Sequence, residues 1–310
     1  MLMIIWGHWQ ERPDCIHDSM NPVWLSAFVL VAGYFSKSCS FTSMVRSKSK
    51  CILIPWICFC FIGYLSQLIM YATANRLSEF RWNMVCEDII TGNLFQANIP
   101  VWFLPALFIM HCAIYFVRRW IPSGSLKEMS ITFGAGLAGF YLLEKEIYLP
   151  FQIAKVLYYL PFYTIGTICR KMCIQSIIMS MKSRWHYLIL CCSLFIFLLR
   201  YIFVCSYIDE LNVVTYLIDI AISLIVMVSL IACPLRAERN FYSLIAFIGE
   251  FSLHFMGFHI IIMGWLWNIS WSVIHRPPNV YESGVLLFMV VFFCGVSAKL
   301  VTTIKRILWV

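Results

Sequence analysis

Repeated long apolar runs are the feature that most constrains this chain. The runs recur through all 310 residues with short polar breaks between them, and most are about 17 to 25 residues long, enough for an α-helix to cross the roughly 30 Å hydrocarbon layer of a bilayer. The composition agrees, because 62% of the residues are hydrophobic and 12% are charged, against roughly a half and a quarter in soluble domains. The chain is therefore expected to fold within a lipid bilayer.

The apolar runs predict an all-α, polytopic bundle of about ten transmembrane helices. No internal repeat, low-complexity tract or flexible linker divides the chain, so residues 1–310 are expected to form a single integral membrane domain. The longest stretch between spans, 73–99, is aromatic enough to form an ordered cap. The predicted spans lie near 1–8, 22–36, 51–72, 100–117, 129–143, 151–169, 185–206, 211–233, 243–267 and 284–304.

Lysine and arginine accumulate in alternate loops, as they do in the cytoplasmic loops of membrane proteins. The intervening loops contain few basic residues and most of the acidic ones. This pattern places both chain termini in the cytoplasm. It also explains the formal charge of +8 without a nucleic-acid partner, since basic tails and aromatic RNA-binding motifs are absent. The basic loops contain Lys37, Arg46, Lys48, Lys50; Arg118, Arg119, Lys127; Arg170, Lys171, Lys182, Arg184; Arg236, Arg239; and Lys299, Lys305, Arg306.

The first apolar run is unusually short. Only seven residues precede His8, and at 1.5 Å per residue they rise about 10 Å, a third of the hydrocarbon layer. The first helix is therefore expected to be truncated. Two explanations remain open: translation starts upstream of Met1, or half of the helix has been lost.

Ionisable side chains inside the predicted spans are candidates for function, because charge in a membrane is costly. Lys155 and Arg200 equally fit snorkelling to the interface or pairing with Asp219, and His111 equally fits a structural hydrogen bond between helices. The full set is His8, His111, Lys155, Arg200, Asp219, Glu250, His254 and His259.

The first and the ninth predicted spans carry residues that suggest acid–base chemistry. His8 ends the first run, and a neutral imidazole there suits a general base that removes a hydroxyl proton. On the ninth span, Glu250 and His254 are one turn apart and share a helix face, whereas His259 lies about 140° further round. A straight helix therefore cannot bring both of these histidines to one point.

Six short segments occur in a characteristic order: Ile4–His8 (IIWGH), Ala32–Phe35 (AGYF), Leu53–Trp56 (LIPW), Val101–Leu107 (VWFLPAL), Leu160–Gly166 (LPFYTIG) and Ile248–Leu253 (IGEFSL). Their order and spacing resemble the acyltransferase 3 family, the bacterial multi-pass acyltransferases that include fucose O-acetylase-like proteins. The resemblance covers nearly the whole chain, which is thereby expected to be an acyltransferase 3-like domain of the inner membrane.

The resemblance implies transfer of an acyl group, usually acetyl, from cytoplasmic acyl-coenzyme A to a hydroxyl of a carbohydrate or lipid-linked glycan, without a bound cofactor or metal. His8 takes the place of the family's essential histidine and would be the catalytic base. The resemblance further suggests Tyr34, Trp102, Glu250 and His259 as substrate-binding candidates, although aromatic residues such as Tyr34 and Trp102 more often serve as anchors at the membrane interface. Arg46, Lys48 and Lys50 are candidates for binding the phosphates of coenzyme A, although a role in topology explains them equally well.

Two departures from the family pattern leave alternatives open. The family's basic residue upstream of the histidine would fall before Met1, and Trp24-Leu25-Ser26 stands where the family commonly has His-Met-Pro. A non-enzymatic transporter or flippase for a glycan or lipid-linked substrate also suits the intramembrane charges. An inactive, truncated family member is the third interpretation.

Overall fold

The computed structural model describes residues 25–37, 39–91, 96–147, 149–181, 188–189, 191–192, 195, 213–232, 250–275 and 280–308. The regular secondary structure of these residues is helical, with no β-strand among them. The α-helices are α1 (Leu25–Tyr34), α2 (Phe41–Lys48), α3 (Ile54–Thr73), α4 (Trp82–Thr91), α5 (Phe103–Trp120), α6 (Leu126–Glu144), α7 (Ile153–Lys171), α8 (Ile174–Ser180), α9 (Val213–Ala232), α10 (Ser252–Ile274) and α11 (Val280–Leu308).

The helical secondary structure of the described residues confirms the expected all-α class. Four helical segments among these residues are long and apolar enough to cross a membrane. They overlap the third, fourth, ninth and tenth predicted spans, although the first segment begins ten residues before the predicted third span and the third segment begins nine residues after the start of the predicted ninth. Helices α1, α6, α7 and α9 occupy four further predicted spans, but the total of about ten is not confirmed. The predicted spans 1–8 and 185–206 lie wholly or mostly outside the described residues. The four segments are Phe41–Thr73, Asn98–Trp120, Ser252–Val273 and Tyr281–Val301.

The chain divides into two compact units. The first comprises Met1–Arg12, Ile52–Leu104 and Ala237–Val310, and the second comprises Pro13–Cys51 and Pro105–Arg236. The single domain expected over residues 1–310 stays a prediction.

The core of the first unit forms where α10 packs against α11. Phe255, Met263 and Leu266 of α10 bury their side chains against Val290 and Cys294 of α11. These α10 residues recur at helical spacing, so one face of the helix supplies the contact.

A polar contact fixes α10 against the rest of the first unit. The side-chain amide of Asn98 donates to the carbonyl oxygen of Gly257 at 2.7 Å. Asn98 has non-helical backbone angles within the 3₁₀ segment Gln96–Trp102. Gly257 lies directly against the ring of Phe59 on α3, where a larger side chain would collide. The absence of a side chain at Gly257 therefore lets the two helices approach closely.

The stretch between the third and fourth predicted spans is ordered over residues 77–91, as expected. A 3₁₀ turn, Leu77–Glu79, precedes α4. Phe80 is buried between two aromatic rings, at centroid distances of 5.7 Å from Tyr71 and 4.8 Å from Trp82. Aromatic packing thus orders a segment that does not span the membrane.

The second unit is built around α7, most of whose side chains are buried. Helix α7 crosses α1 where Gly33 lies against the backbone of Tyr163 and Gly166 lies against the backbone of Leu30. Close approach of this kind is how helices pack in membranes, where small residues let the backbones meet. The AGYF and LPFYTIG segments of the sequence therefore contact each other at this crossing.

The structure corrects one helix prediction. Helix α10 begins at Ser252, after Phe251 with the non-helical angles φ −97° and ψ 17°. Glu250 precedes this break, so the expectation that Glu250 and His254 share one face of a continuous helix is wrong.

Candidate functional site

A cavity of about 790 Å³ lies within the second unit. Its walls come from the loop after α1, from α2, from α5 and the loop that follows it, and from α7. Four of the side chains that line it are basic: Lys37, Lys48, Arg118 and Arg119. No acidic side chain is among the described residues that line the cavity. We call it the cationic cavity.

Helix α2 separates the cationic cavity from a second, smaller one. Lys48 lines the cationic cavity, while Arg46 and Lys50, one turn apart, line a neighbouring cavity of about 500 Å³. Ser43 and Ser47 border both cavities. All three residues predicted to bind coenzyme A phosphates therefore lie on cavity walls, on two sides of one short helical segment.

The cap of α2 explains why this segment is helical despite its many serines. The side chain of Ser40, the N-cap residue, accepts a 3.4 Å hydrogen bond from the backbone N–H of Ser43. Arg46 and Lys48 occupy the last turn, where cations interact favourably with the helix dipole. A π-helical segment, Ser49–Leu53, then connects α2 to α3 and carries Lys50.

The most buried polar groups that line the cationic cavity are a histidine and a tyrosine from different helices. Nδ1 of His111 on α5 lies 2.5 Å from the phenolic oxygen of Tyr163 on α7. The two rings meet edge to face at a centroid distance of 5.1 Å. His111 is 6% exposed and Tyr163 is 2% exposed. The hydrogen bond between helices that the sequence suggested for His111 is confirmed, and the same histidine also borders a cavity.

Arg118 is held in place by a buried acid. Its Nε donates to Oε1 of Glu128 at 2.7 Å, and its Nη2 donates to Thr167 Oγ1 at 2.6 Å. The sequence Ser125-x-x-Glu128 forms a variant of the capping box, because Ser125 caps α6 and the Glu128 side chain reaches back to the N–H of Gly124. The carboxylate of Glu128 offsets the charge of Arg118, so the guanidinium is oriented rather than mobile.

Two cations at the end of α7 hold the loops that border the cationic cavity. Arg170 donates to the carbonyl oxygen of Ser36, and Lys171 donates to the carbonyl oxygen of Ser123. Ser36 and Ser123 both line the cavity. The second loop also needs Gly124, whose φ of +72° lies in the region that favours glycine. The loops at the cavity mouth are thus tied to the central helix of the unit.

The four substrate-binding candidates are not among the described residues that line the cationic cavity. Tyr34 ends α1, is half-buried and packs edge to face on Phe35, which does line the cavity. In the first unit, Trp102 is half-buried beside Phe103, Glu250 is exposed, and His259 is fully buried. His8, the predicted base, lies outside the described residues.

His259 has a defined ring orientation. Its Nδ1 lies 2.8 Å from the carbonyl oxygen of Phe255, one turn earlier on α10. The bond to a backbone carbonyl requires a proton on Nδ1, which leaves Nε2 as the nitrogen that can accept a proton in the neutral ring.

Charged groups outside the membrane-spanning helices have shifted pKa values in the first unit. Burial raises the pKa of Asp88 on α4, although the hydroxyl of Tyr64 donates a hydrogen bond to its carboxylate. The Arg76 guanidinium, which donates to Glu79, lowers the pKa of that carboxyl, but both groups are exposed. Of these two acids, Asp88 is the one whose titration affects folding appreciably.

Sequence reasoning treated Lys37, Arg118 and Arg119 as topology determinants and did not single out Tyr163. Two sequence features point to Arg118 and Tyr163. The Ser125-x-x-Glu128 capping box places an acid that can hold Arg118, and Tyr163 lies inside the LPFYTIG segment.

Residues 1–302 match the family model of acyltransferase 3, described as an acyltransferase domain. No curated protein and no solved structure matches the chain.

Proposed function

Since this chain belongs to the acyltransferase 3 family, we propose that it is a membrane-bound O-acyltransferase that uses cytoplasmic acyl-coenzyme A as donor. The acyl group proposed first is acetyl, and the acceptor is a hydroxyl of a carbohydrate or a lipid-linked glycan. The family match supports an acyltransferase; the donor, the acceptor and the location in the inner membrane are our proposal.

The observation that carries the donor proposal is the charge of the cationic cavity. Coenzyme A presents a diphosphate and a ribose phosphate, and lysine and arginine are the side chains that bind phosphate best. Lys37, Lys48 and Arg119 form no ion pair with any other described residue. Their charges are therefore available to a phosphate, while Arg118 is already paired with Glu128.

The shape and lining of the cavity also suit the donor. A volume of about 790 Å³ falls in the range of pockets that bind cofactor-sized molecules. Beside the cations, the buried side chains of Met44 and Ile114 provide apolar wall. An acyl-coenzyme A has the same division, with anionic phosphates at one end and a mostly uncharged pantetheine arm at the other.

The predicted topology agrees with a cytoplasmic donor. Every basic residue of the cationic cavity belongs to the set of loops that the charge pattern assigns to the cytoplasm. With both chain termini cytoplasmic, the cavity would open where acyl-coenzyme A is present.

The proposed reaction needs a base for the acceptor. The hydroxyl oxygen attacks the thioester carbonyl carbon, the carbon–sulfur bond breaks, and coenzyme A leaves as a thiolate that takes up a proton. The hydroxyl proton passes to the base, a role that we assign to His8 on the family resemblance. Tyr34, Trp102, Glu250 and His259 remain candidates for contacts with the acceptor.

Ligand protection tests the donor site directly. The full chain in nanodiscs would be treated with N-ethylmaleimide, with and without acetyl-coenzyme A, and labelling would be read peptide by peptide. Cys39 is exposed and lines the cationic cavity, whereas Cys173 is exposed and is not among its lining residues. We expect acetyl-coenzyme A to slow labelling of Cys39 at least fivefold and to leave Cys173 unchanged. Equal labelling rates at saturating ligand would contradict the donor site.

Mass spectrometry of surface glycans tests the reaction as a whole. Cells lacking the gene would be complemented with this chain, and O-acetyl groups on the glycans would be counted. Loss on deletion and recovery on complementation are the expected results. An unchanged glycan, with a change in transport of a lipid-linked intermediate instead, would favour the flippase interpretation.

A further inference from the structure

We propose that His111 and Tyr163 form the acyl end of the donor site and hydrogen-bond the carbonyl oxygen of the thioester. The inference rests on the proposed donor function, and it adds to the cations of that site an imidazole and a phenol that can hydrogen-bond a neutral group. We call His111 and Tyr163 the carbonyl-binding pair.

The two ends of the cationic cavity differ in how exposed their side chains are. Lys37 and Arg119 are exposed, whereas His111 and Tyr163 are 6% and 2% exposed. Phosphates are strongly hydrated and stay close to water, so they belong with the exposed cations. The less polar end of the donor then extends toward the carbonyl-binding pair.

The side chains along one face of α5 change in the same way, from a buried ring at one end of the cavity to a charged group at the other. His111, Ile114 and Arg118 are separated by three and four residues, so they lie on the same side of the helix, and all three line the cavity. The seven residues from His111 to Arg118 rise about 10 Å along the axis. The order along the face is imidazole, buried aliphatic side chain and guanidinium. Arg118 is paired with Glu128 and marks the charged end of the cavity, where Lys37 and Arg119 are available to the phosphates.

The neutral carbonyl-binding pair has one more polar hydrogen than its mutual bond uses. A neutral imidazole and a phenol together carry two polar hydrogens, and their mutual bond uses one of them. If Tyr163 donates to Nδ1, the remaining hydrogen is on Nε2 of His111; if Nδ1 donates, the remaining hydrogen is on the Tyr163 hydroxyl. A protonated imidazole adds a further donor. With both rings neutral, therefore, one polar hydrogen is not used in the mutual bond. Ser36 also hydrogen-bonds the side chain of Tyr163, so the N–H at Nε2 of His111 is the donor that we assign to the ligand.

A donor at this position matches the chemistry of thioester cleavage. Negative charge develops on the carbonyl oxygen as the hydroxyl attacks the carbonyl carbon, and a fixed hydrogen-bond donor stabilises that charge. Each ring of the pair restrains the other, through the 2.5 Å bond and the edge-to-face contact. The group that meets the carbonyl is thus positioned before the donor binds.

Two stable analogues of the donor test the inference. S-acetonyl-coenzyme A is a thioether with a ketone one methylene beyond the sulfur, close to the position of the thioester carbonyl. S-propyl-coenzyme A is a thioether without the ketone, and neither analogue can transfer an acyl group. Their dissociation constants would be measured on the full chain in nanodiscs by titration calorimetry. We expect the wild-type chain to bind the ketone analogue about tenfold more tightly, because one buried hydrogen bond is gained.

Variants of the carbonyl-binding pair should lose this preference without losing the site. In Tyr163→Phe and His111→Leu, the ratio of the two dissociation constants should fall below about threefold. The affinity for the propyl analogue should stay within twofold of wild type, which also shows that each variant is folded. Tyr115→Phe is the matched control, because this phenol lines the same cavity but packs on Phe41, and its ratio should stay near ten.

The outcomes separate this inference from the donor proposal. If both analogues bind and the tenfold ratio persists in Tyr163→Phe and His111→Leu, the carbonyl-binding role is refuted and the donor site stands. A wild-type ratio near one would also refute the carbonyl-binding role and leave the donor site standing. If neither analogue binds to the wild-type chain, the donor site itself is wrong and the inference falls with it.

Discussion

Glu128, whose side chain is fully buried, accepts a 2.7 Å hydrogen bond from Nε of Arg118. The two residues lie on successive helices, α5 and α6, and the same carboxylate accepts the N–H of Gly124 in the loop between them. One acid therefore fixes a helix end, a loop and a cation at the cavity wall.

The Glu128→Gln substitution should destabilise the protein by about 2–3 kcal/mol, because Arg118 would keep its charge without a counter-ion. The loss should be below that of a fully buried pair, since the Arg118 side chain is 23% exposed. Thermal unfolding in detergent would measure it. Glu144→Gln, at the exposed end of the same helix, is the control and should change the melting temperature little; equal effects of both substitutions would contradict a specific role for Glu128.

Gly166→Ala should destabilise the second unit by about 1–3 kcal/mol, because the added methyl group would collide with the backbone of Leu30 on α1. Gly134→Ala is matched to it, since no atom lies within 4 Å of the added methyl group there. That control should be neutral or slightly stabilising, as helices favour alanine over glycine. The unfolding midpoints of both variants would measure these effects. An unchanged midpoint in Gly166→Ala would mean that α1 and α7 can move apart at their crossing without loss of stability.

Lys48→Gln should weaken binding of acetyl-coenzyme A about five- to tenfold at low salt, because one charged contact with a phosphate is lost. The difference between variant and wild type should shrink as salt is raised, since salt screens such contacts. Titration calorimetry at two ionic strengths would measure both effects. Lys127→Gln removes an exposed charge of α6 that is not among the lining residues of the cavity; a similar loss in this control would point to general surface charge.

His8→Ala should abolish glycan acylation while membrane abundance stays near that of the wild type, because removing a general base costs a factor of about 10² to 10⁴ in rate. Acylation is read by mass spectrometry, and abundance is read by immunoblot of membranes. Binding of acetyl-coenzyme A should be unaffected, which separates this variant from those of the cationic cavity. Retained acylation would exclude His8 as the base.

Asp88 should make stability depend on pH in the first unit. Burial raises its folded pKa above the unfolded value of about 3.9. The stability associated with this group is therefore fully present below about pH 4 and declines as pH rises through the folded pKa. Asp88→Asn keeps an oxygen that accepts from Tyr64 and removes the titration. Its melting temperature should vary less with pH than that of the wild type, and an unchanged pH dependence in Asp88→Asn would contradict the prediction.

Several features of this protein follow from local sequence. Apolar runs predict α3, α5 and α11. A helix satisfies its backbone polar groups with its own hydrogen bonds, and an apolar run of that length favours lipid over water. The basic loops predict which residues share a side of the membrane. The order of short segments predicts the family, and the match over residues 1–302 confirms it. The helices and the basic loops depend on neighbours within one helix or one loop, and the family depends only on the order of short segments along the chain.

The site depends on contacts between helices that are far apart in sequence. Arg46, Lys48 and Lys50 could be chosen from the sequence, but their division between two cavities depends on the helical register of α2 and on what packs beside it. The bond between His111 and Tyr163 joins positions 52 residues apart. It exists because α5 and α7 meet at that level, and the pairing of helices is determined by shape and small residues, which hydropathy and charge patterns do not record.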